Sequence, residues 1–273
     1  MMHLIKTENL TYEYPDGTRA LDSVNLEIKE GEFVGILGNN GSGKTTLARC
    51  LAGLLKPTSG LILVKGKDIR HYRKKDLVKN IGYISQDINT QLLNVNVLEE
   101  ILFTPKMLGV SDDLIKDRLE EILSQLEIGN EILEKPVLGL PRHVKLRVLL
   151  ASYMLAGTKN FIVDEPTTGQ DWYHSTKFTE FLKRLRERGS TVILITHDIE
   201  LLAKYSERVI LMNSGRIVVD GETREILSDV ELLKSNSLLP TYTTQLTRDL
   251  PLRDRVLLPE ELIKILSLKI SKP

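Results

Sequence analysis

The sequence predicts an α/β fold with a mainly helical subdomain inserted in it and a short C-terminal extension. Three observations carry that expectation. Short apolar strands recur between residues 4 and 219. A glycine-rich loop lies between one such strand, Glu32–Leu37, and a helical pattern over Thr46–Leu55. From about Val97 to Leu155 strand signals fade and apolar residues fall at helical spacing.

The loop reads Gly38-Asn39-Asn40-Gly41-Ser42-Gly43-Lys44-Thr45-Thr46: a glycine, four residues, then Gly-Lys-Thr. Strand, glycine loop, helix is the context of a phosphate loop, so the expected fold class is that of a P-loop NTPase. Glycines let the backbone curl until successive N–H groups point at phosphate oxygens. The helix N-terminus adds its dipole and unpaired donors. Lys44 brings a positive charge to the β- and γ-phosphates, and the Thr45 hydroxyl is placed to ligate Mg²⁺. Asn39 to Thr46 is the candidate nucleotide-binding set. The alternative is a glycine-rich turn that binds nothing.

The chain has 273 residues, 41% of them hydrophobic, enough for one large domain with an appendage or for two small ones. Its 37 basic and 37 acidic residues cancel, so no global field attracts nucleic acid. The run Arg70-His71-Tyr72-Arg73-Lys74-Lys75 reads as a solvated face. One cysteine, Cys50, excludes an internal disulfide and fits a reducing compartment. The start, Met1 to Lys6, lacks the apolar core of a signal peptide. The longest apolar run, Val148–Ala156, falls short of the ~20 residues that span a bilayer. The expectation is a soluble chain that can dock on a membrane partner.

Leu4–Asn9 and Val24–Ile28 read as strands, separated by Tyr12, Tyr14 and the turn Pro15-Asp16-Gly17. An aromatic such as Tyr14 can stack on an adenine, or can be an ordinary strand residue. Leu61–Val64 and Ile81–Ser85 are short strands, and Gln86 stands where the second ends. Its amide can reach Mg²⁺ or an attacking water, or can simply face solvent. After the helical stretch comes Asn160-Phe161-Ile162-Val163-Asp164-Glu165-Pro166, an apolar strand ending in an acidic pair. Asp164 can hold Mg²⁺, and Glu165 can orient or deprotonate the water that attacks a γ-phosphate. Phe178–Arg188 is an amphipathic helix, and Thr191–Thr196 is a buried strand ending at His197, which can bond a γ-phosphate. Val209–Met212 and Arg216–Val219 form a hairpin around a glycine turn. Helices are expected over Glu225–Leu233 and Glu260–Leu268, in a tail that packs on a partner or on the body.

In this order the phosphate loop, Gln86, the helical insert, Asp164-Glu165, Gln170-Asp171 and His197 resemble the nucleotide-binding subunit of ATP-binding cassette (ABC) transporters, from about residue 3 to 225. More narrowly, three stretches are similar to ATPase subunits of the energy-coupling factor (ECF) importers of vitamins and metal ions. They are Tyr12-Glu13-Tyr14-Pro15, Gln86–Leu92, and a tail with Leu239-Pro240, Thr243, Leu246 and Pro259-Glu260-Glu261-Leu262. The resemblance implies an ABC ATPase domain over 1–225, with a helical subdomain at about 88–155, and a dimerising extension over 226–273. It implies ATP and Mg²⁺ as ligands, with Thr45, Gln86 and Asp164 around the metal. Tyr14 would stack on adenine, Gln86 would be the Q-loop residue, Glu165 the catalytic carboxylate and His197 the switch histidine. Gln91 and its neighbours would line a groove for a membrane subunit's coupling helix. The implied partners are a second ATPase, a transmembrane coupling subunit and a substrate-binding membrane subunit, with no nucleic acid. The implied location is peripheral, on the cytoplasmic face of the cell membrane.

One departure from the family pattern stands out. Where the family carries Leu-Ser-Gly-Gly-Gln, this chain has Leu140-Pro141-Arg142-His143-Val144. Pro141 has no N–H to donate, and Arg142 and His143 carry bulk where close backbone approach is required. Family members pair head to tail, each ATP lying between one subunit's loop and the other's signature. The expectation is a heterodimer in which ATP on Lys44 faces an intact partner signature and is hydrolysed. The competing readings are an ordinary ABC transporter ATPase and a soluble ABC protein without a transport role.

Overall fold

The computed structural model describes residues 3–248, 250 and 255–270. The chain opens on a hairpin, β1 (His3–Glu13) and β2 (Arg19–Lys29). In β2, Val24, Leu26 and Ile28 are buried while Asn25 and Glu27 face solvent, the period-2 signature of a half-covered strand. β3 (Phe33–Leu37) is buried at every position, as a strand covered on both faces must be. The glycine loop then leads into α1 (Lys44–Leu51). β4 (Ser59–Val64) and β5 (Lys67–Asp68) return to the first hairpin, and α2 (Lys74–Asn80) precedes β6 (Gly82–Ile84). Three helices follow: α3 (Val97–Leu108), α4 (Asp112–Gln125) and α5 (Arg142–Leu155). Strands resume with β7 (Asn160–Asp164), α6 (Trp172–Glu187), β8 (Thr191–Ile195) and α7 (Ile199–Tyr205). The hairpin β9 (Arg208–Asn213) and β10 (Arg216–Glu222) leads to α8 (Thr223–Leu227), α9 (Val230–Ser235), α10 (Tyr242–Thr247) and α11 (Pro259–Ile270).

The strands form two sheets. One is antiparallel, in the order β2-β1-β4-β5. The other runs β10-β9-β3-β8-β7-β6 and is parallel except for β10 at its edge. Alternation in β3 divides the core. Val34 and Ile36 pack with α1 and the antiparallel sheet, and Phe33 and Leu37 pack with α5, α6 and α7 on the other face. Because β3, β6, β7 and β8 run parallel, the segments that follow them emerge along one edge. Ligands bind along that edge of open α/β sheets.

Several expectations change in detail. The helix expected over Glu225–Leu233 is two helices. The chain breaks at Ser228-Asp229, where the Asp229 carboxylate caps α9 by accepting from Leu232 N–H at 2.9 Å. The basic run at 70–75 lies partly in α2, and its arginines pair locally, Arg70 with Asp68 and Arg73 with Asp76. α7 and α10 are too short to stand out by periodicity. The tail packs on the body: Leu233, Leu238 and Leu257 are buried in the main core. Met1, Met2 and the Leu268 side chain lie outside the described residues. Among the described residues, no helix is long and apolar enough to cross a membrane.

Candidate nucleotide-binding site

The loop ends converge on a cleft of about 450 Å³. Asn40 to Thr46 form one wall, with Tyr14, Thr18, Arg19, Ala20, Gln86, Glu165, Thr168 and His197 around them. Glycine is required at two places. Gly43, just before α1, has a φ of 99°, and a Cβ there would sit 2.5 Å from the Ala20 carbonyl oxygen. A Cβ on Gly38 would sit 2.4 Å from the Met212 carbonyl oxygen. The loop is thus wedged between β2 and the end of β9. Lys44 Nζ donates to the carbonyls of Gly38 at 2.7 Å and Asn39 at 2.9 Å. Burial lowers its pKa, opposed by the nearby Glu165 and Asp164 carboxylates.

Asp164 ends β7 and is fully buried. Its Oδ1 accepts from the Thr45 hydroxyl at 3.2 Å and its Oδ2 from the Tyr83 hydroxyl at 3.2 Å. Burial pushes its pKa up, against the pull of those two bonds. A hydroxyl and a carboxylate side by side at the foot of the loop are hard oxygen donors that fit Mg²⁺. Gln86 follows β6, is exposed, and lines the same cleft.

Glu165 adopts a φ of 48°, a left-handed backbone that costs a non-glycine residue about 1–2 kcal/mol. Its N–H donates to the Ile195 carbonyl at 2.8 Å, extending the pairing of β7 with β8 by one bond. The buried carboxylate then meets His197, with Nδ1 and Oε2 2.8 Å apart. An acceptor carboxylate joined to an imidazole beside a phosphate loop can take a proton from water and hold the proton's charge.

Tyr14 lines the cleft with its hydroxyl 3.0 Å from Thr46 Oγ1, and Tyr12 meets its ring edge-on. Asn39 departs from its expected place. Its side chain turns out of the cleft, and Nδ2 donates to the Asn236 carbonyl at 2.7 Å; only its backbone serves the loop. Gln91 also differs, being folded inward. It accepts from Ser85 N–H at 2.7 Å and donates to the Tyr83 carbonyl at 2.9 Å, leaving Leu93 and Val95 as the exposed apolar neighbours. Sequence reading missed Thr18, Arg19, Tyr83 and Thr168. Tyr83 was open to inference, since β6 borders β7 and the Tyr83 side chain rises beside Asp164.

At the altered segment, α5 starts at Arg142 with Pro141 as its cap residue and no side-chain cap. Arg142 Nη2 donates to the Gln86 carbonyl at 2.8 Å and reaches the Glu165 carbonyl at 3.4 Å. His143 stacks on His174 with ring centres 3.8 Å apart. His174 Nδ1 lies 2.8 Å from Asp171 Oδ2.

The family model described as ABC transporter matches residues 21–168. An ABC transporter ATP-binding protein of Methanosarcina acetivorans is 42% identical over 243 residues, 89% of this chain and 39% of that protein. The chain spans 39% to 43% of the length of the first curated relatives it matches. The energy-coupling factor transporter ATP-binding protein EcfA of Methanocaldococcus jannaschii is 37% identical over 244 residues, 88% of this chain and 86% of that protein. Among solved structures, cbiO1 of Clostridium perfringens, part of the ABC transporter complex cbiONQ, superposes with a TM-score of 0.77. It is 34% identical, covering 91% of this chain and 100% of that one. With the matched region and the P-loop α/β architecture in agreement, this chain belongs to the ABC transporter ATP-binding family.

Proposed function

We propose that this chain binds and hydrolyses ATP as the motor subunit of an ECF-type importer, paired with a second ATPase. The reading rests above all on the 2.8 Å contact between Glu165 and His197 at the mouth of the phosphate loop. Lys44 and the loop amides would hold the β- and γ-phosphates, and Tyr14 would stack on the adenine. Glu165 accepts a proton from the attacking water, and His197 steadies that carboxylate and bonds the γ-phosphate. Mg²⁺ held by Thr45, Asp164 and Gln86 would neutralise charge building on the phosphates.

The ECF assignment is supported by the likeness to EcfA and cbiO1. It carries the expectation of a transmembrane coupling subunit and a substrate-binding membrane subunit, with the ATPase peripheral to the membrane. The likeness to the Methanosarcina acetivorans protein, named for ATP binding in an ABC transporter and more than twice as long, favours a second reading as an ordinary ABC transporter ATPase. Co-purified membrane partners separate the two, because a single coupling subunit shared by interchangeable binding proteins belongs to the ECF reading alone.

Pairing with a different ATPase is supported by residues 140–144. Pro141 offers no N–H, and Arg142 is engaged with its own chain's carbonyls. ATP held by Lys44 would face the partner's intact signature and turn over, while ATP on the partner's loop would turn over poorly. The experiment is Glu165→Gln in this chain against the equivalent change in the co-purified partner. The first should abolish turnover and the second should leave most of it; the reverse result refutes the assignment.

A further inference from the structure

The C-terminal extension reaches the phosphate loop directly. Asn39, the first residue after Gly38, spends its side chain on the Asn236 carbonyl at 2.7 Å. Asn236 ends α9 and is buried, and its own side chain is fixed at both ends. Its Oδ1 accepts from Asn213 Nδ2 at 2.9 Å, and its Nδ2 donates to the Leu232 carbonyl at 2.9 Å. Beneath it, Leu233 and Leu238 are buried in the main core, so α9 is a braced strut rather than a loose tail. Asn213 sits at the end of β9, the strand whose Met212 carbonyl already confines Gly38. Two residues along, the Gly215 N–H donates to the Ser42 carbonyl at 3.1 Å.

The Asn39 backbone is what this bond holds. Its carbonyl accepts from Lys44 Nζ at 2.9 Å and from Ser42 N–H at 3.1 Å, so it sets both the resting place of the lysine and the curl of the loop. We propose that Asn236 is a positioning residue for the phosphate loop: through Asn39 it fixes the loop in the shape that receives the nucleotide's phosphates. The extension is then a working part of the nucleotide site, and displacing α9 lowers nucleotide affinity. This inference rests on the reading of the cleft as a nucleotide site.

The test is MgATP binding to the full chain by titration calorimetry, with thermal unfolding in parallel. Asn39→Ala, Asn236→Ala and the double variant are compared with the unsubstituted chain. Asn39→Ala should weaken binding about three- to tenfold, the scale of one net hydrogen bond. Asn236→Ala keeps the carbonyl but loses the side-chain bonds that hold it in place, and should weaken binding measurably and by no more than that. The double should lie within about twofold of the weaker single, because both act on one path. An asparagine with a merely structural role lowers Tm and leaves the Kd of the folded chain where it was. Asn213→Ala keeps the bonds of α9 to itself and should weaken binding in the same direction, which covers poor folding of Asn236→Ala. Unchanged affinity in either single variant, or effects that multiply in the double, overturns the proposal. Absence of MgATP binding by the unsubstituted chain sinks the cleft reading and the proposal together; binding there with unaffected variants sinks the proposal alone.

Discussion

His197 Nδ1 lies 2.8 Å from Glu165 Oε2, across the ends of two adjacent parallel strands. The register pairs Asp164 with Ile195, so Glu165, one residue on, and His197, two residues on, leave the same edge of the sheet from neighbouring strands. A carboxylate fixed by backbone pairing and an imidazole fixed by the same edge need little reorganisation to act together. Glu165→Gln should lower ATP turnover of the assembled complex by a factor of about 100 or more, the usual span for a general base. His197→Ala should fall in the same range. MgATP affinity of the single chain should stay within about threefold in both, since the loop and Lys44 hold the phosphates. Turnover assays with equilibrium binding check this, and near-normal turnover in Glu165→Gln would count against the assignment.

Arg142 ties three places together: the start of α5, the Gln86 peptide and the Glu165 peptide. Its guanidinium makes no ion pair with a carboxylate among the described residues, so carbonyls are what hold it. Arg142→Ala should free the segments 85–87 and 165–168. Their amides should exchange with deuterium about tenfold faster, while exchange in β3 and β8 is unchanged. Arg142→Lys should restore part of the protection, because both contacts come from one nitrogen, Nη2, and an ammonium also donates several N–H bonds from one nitrogen, on a shorter stem. Hydrogen exchange followed by mass spectrometry checks both variants.

Cys50 sits inside α1, fully buried between the sheets. Burial pushes its thiol pKa up to about 12, so the reactive thiolate is scarce at neutral pH. Alkylating reagents should leave the native chain unlabelled for hours at pH 8 and modify it at once in denaturant. The folded pKa is raised, so the neutral thiol's contribution is fully present below the unfolded pKa near 9 and is lost as pH rises above it. Rapid labelling of the native chain would place Cys50 on an opening segment instead.

Much of the site was legible because its chemistry sits where strand periodicity ends. The loop after β3, the acidic pair after β7 and the histidine after β8 each follow an unbroken apolar run. Such runs mark buried parallel strands, whose ends share an edge. What escaped the reading depends on tertiary neighbours. Asn39 faces Asn236, 197 residues away in sequence, and nothing local to the glycine motif hints at that partner. Gln91 turns inward because its amide oxygen accepts from the Ser85 N–H and its amide nitrogen donates to the Tyr83 carbonyl. α7 and α10 have 7 and 6 residues, too few for a 3.6-residue period to rise above its surroundings.

The stacked pair His143 and His174 leads to a pH effect with a definite sign. His143 is half-buried, and its pKa is lowered by burial first, then by His174 and Arg147, with Asp171 opposing. Glu127 and Lys177 complete the charged surroundings of the small cleft the two rings share. The folded chain therefore holds a proton on His143 less readily than the unfolded chain, where histidine titrates near 6.5. Between the folded value and 6.5 the unfolded state binds more protons, so stability falls as pH drops through that window. Above 6.5 the effect is absent. Tm should decline between pH 7.5 and 5.5 more steeply in the unsubstituted chain than in His143→Gln, whose amide does not titrate. High salt should shrink the difference only slightly, since burial rather than exposed charge is the first cause. Parallel Tm profiles for the two proteins would show that His143 does not sense pH in the fold.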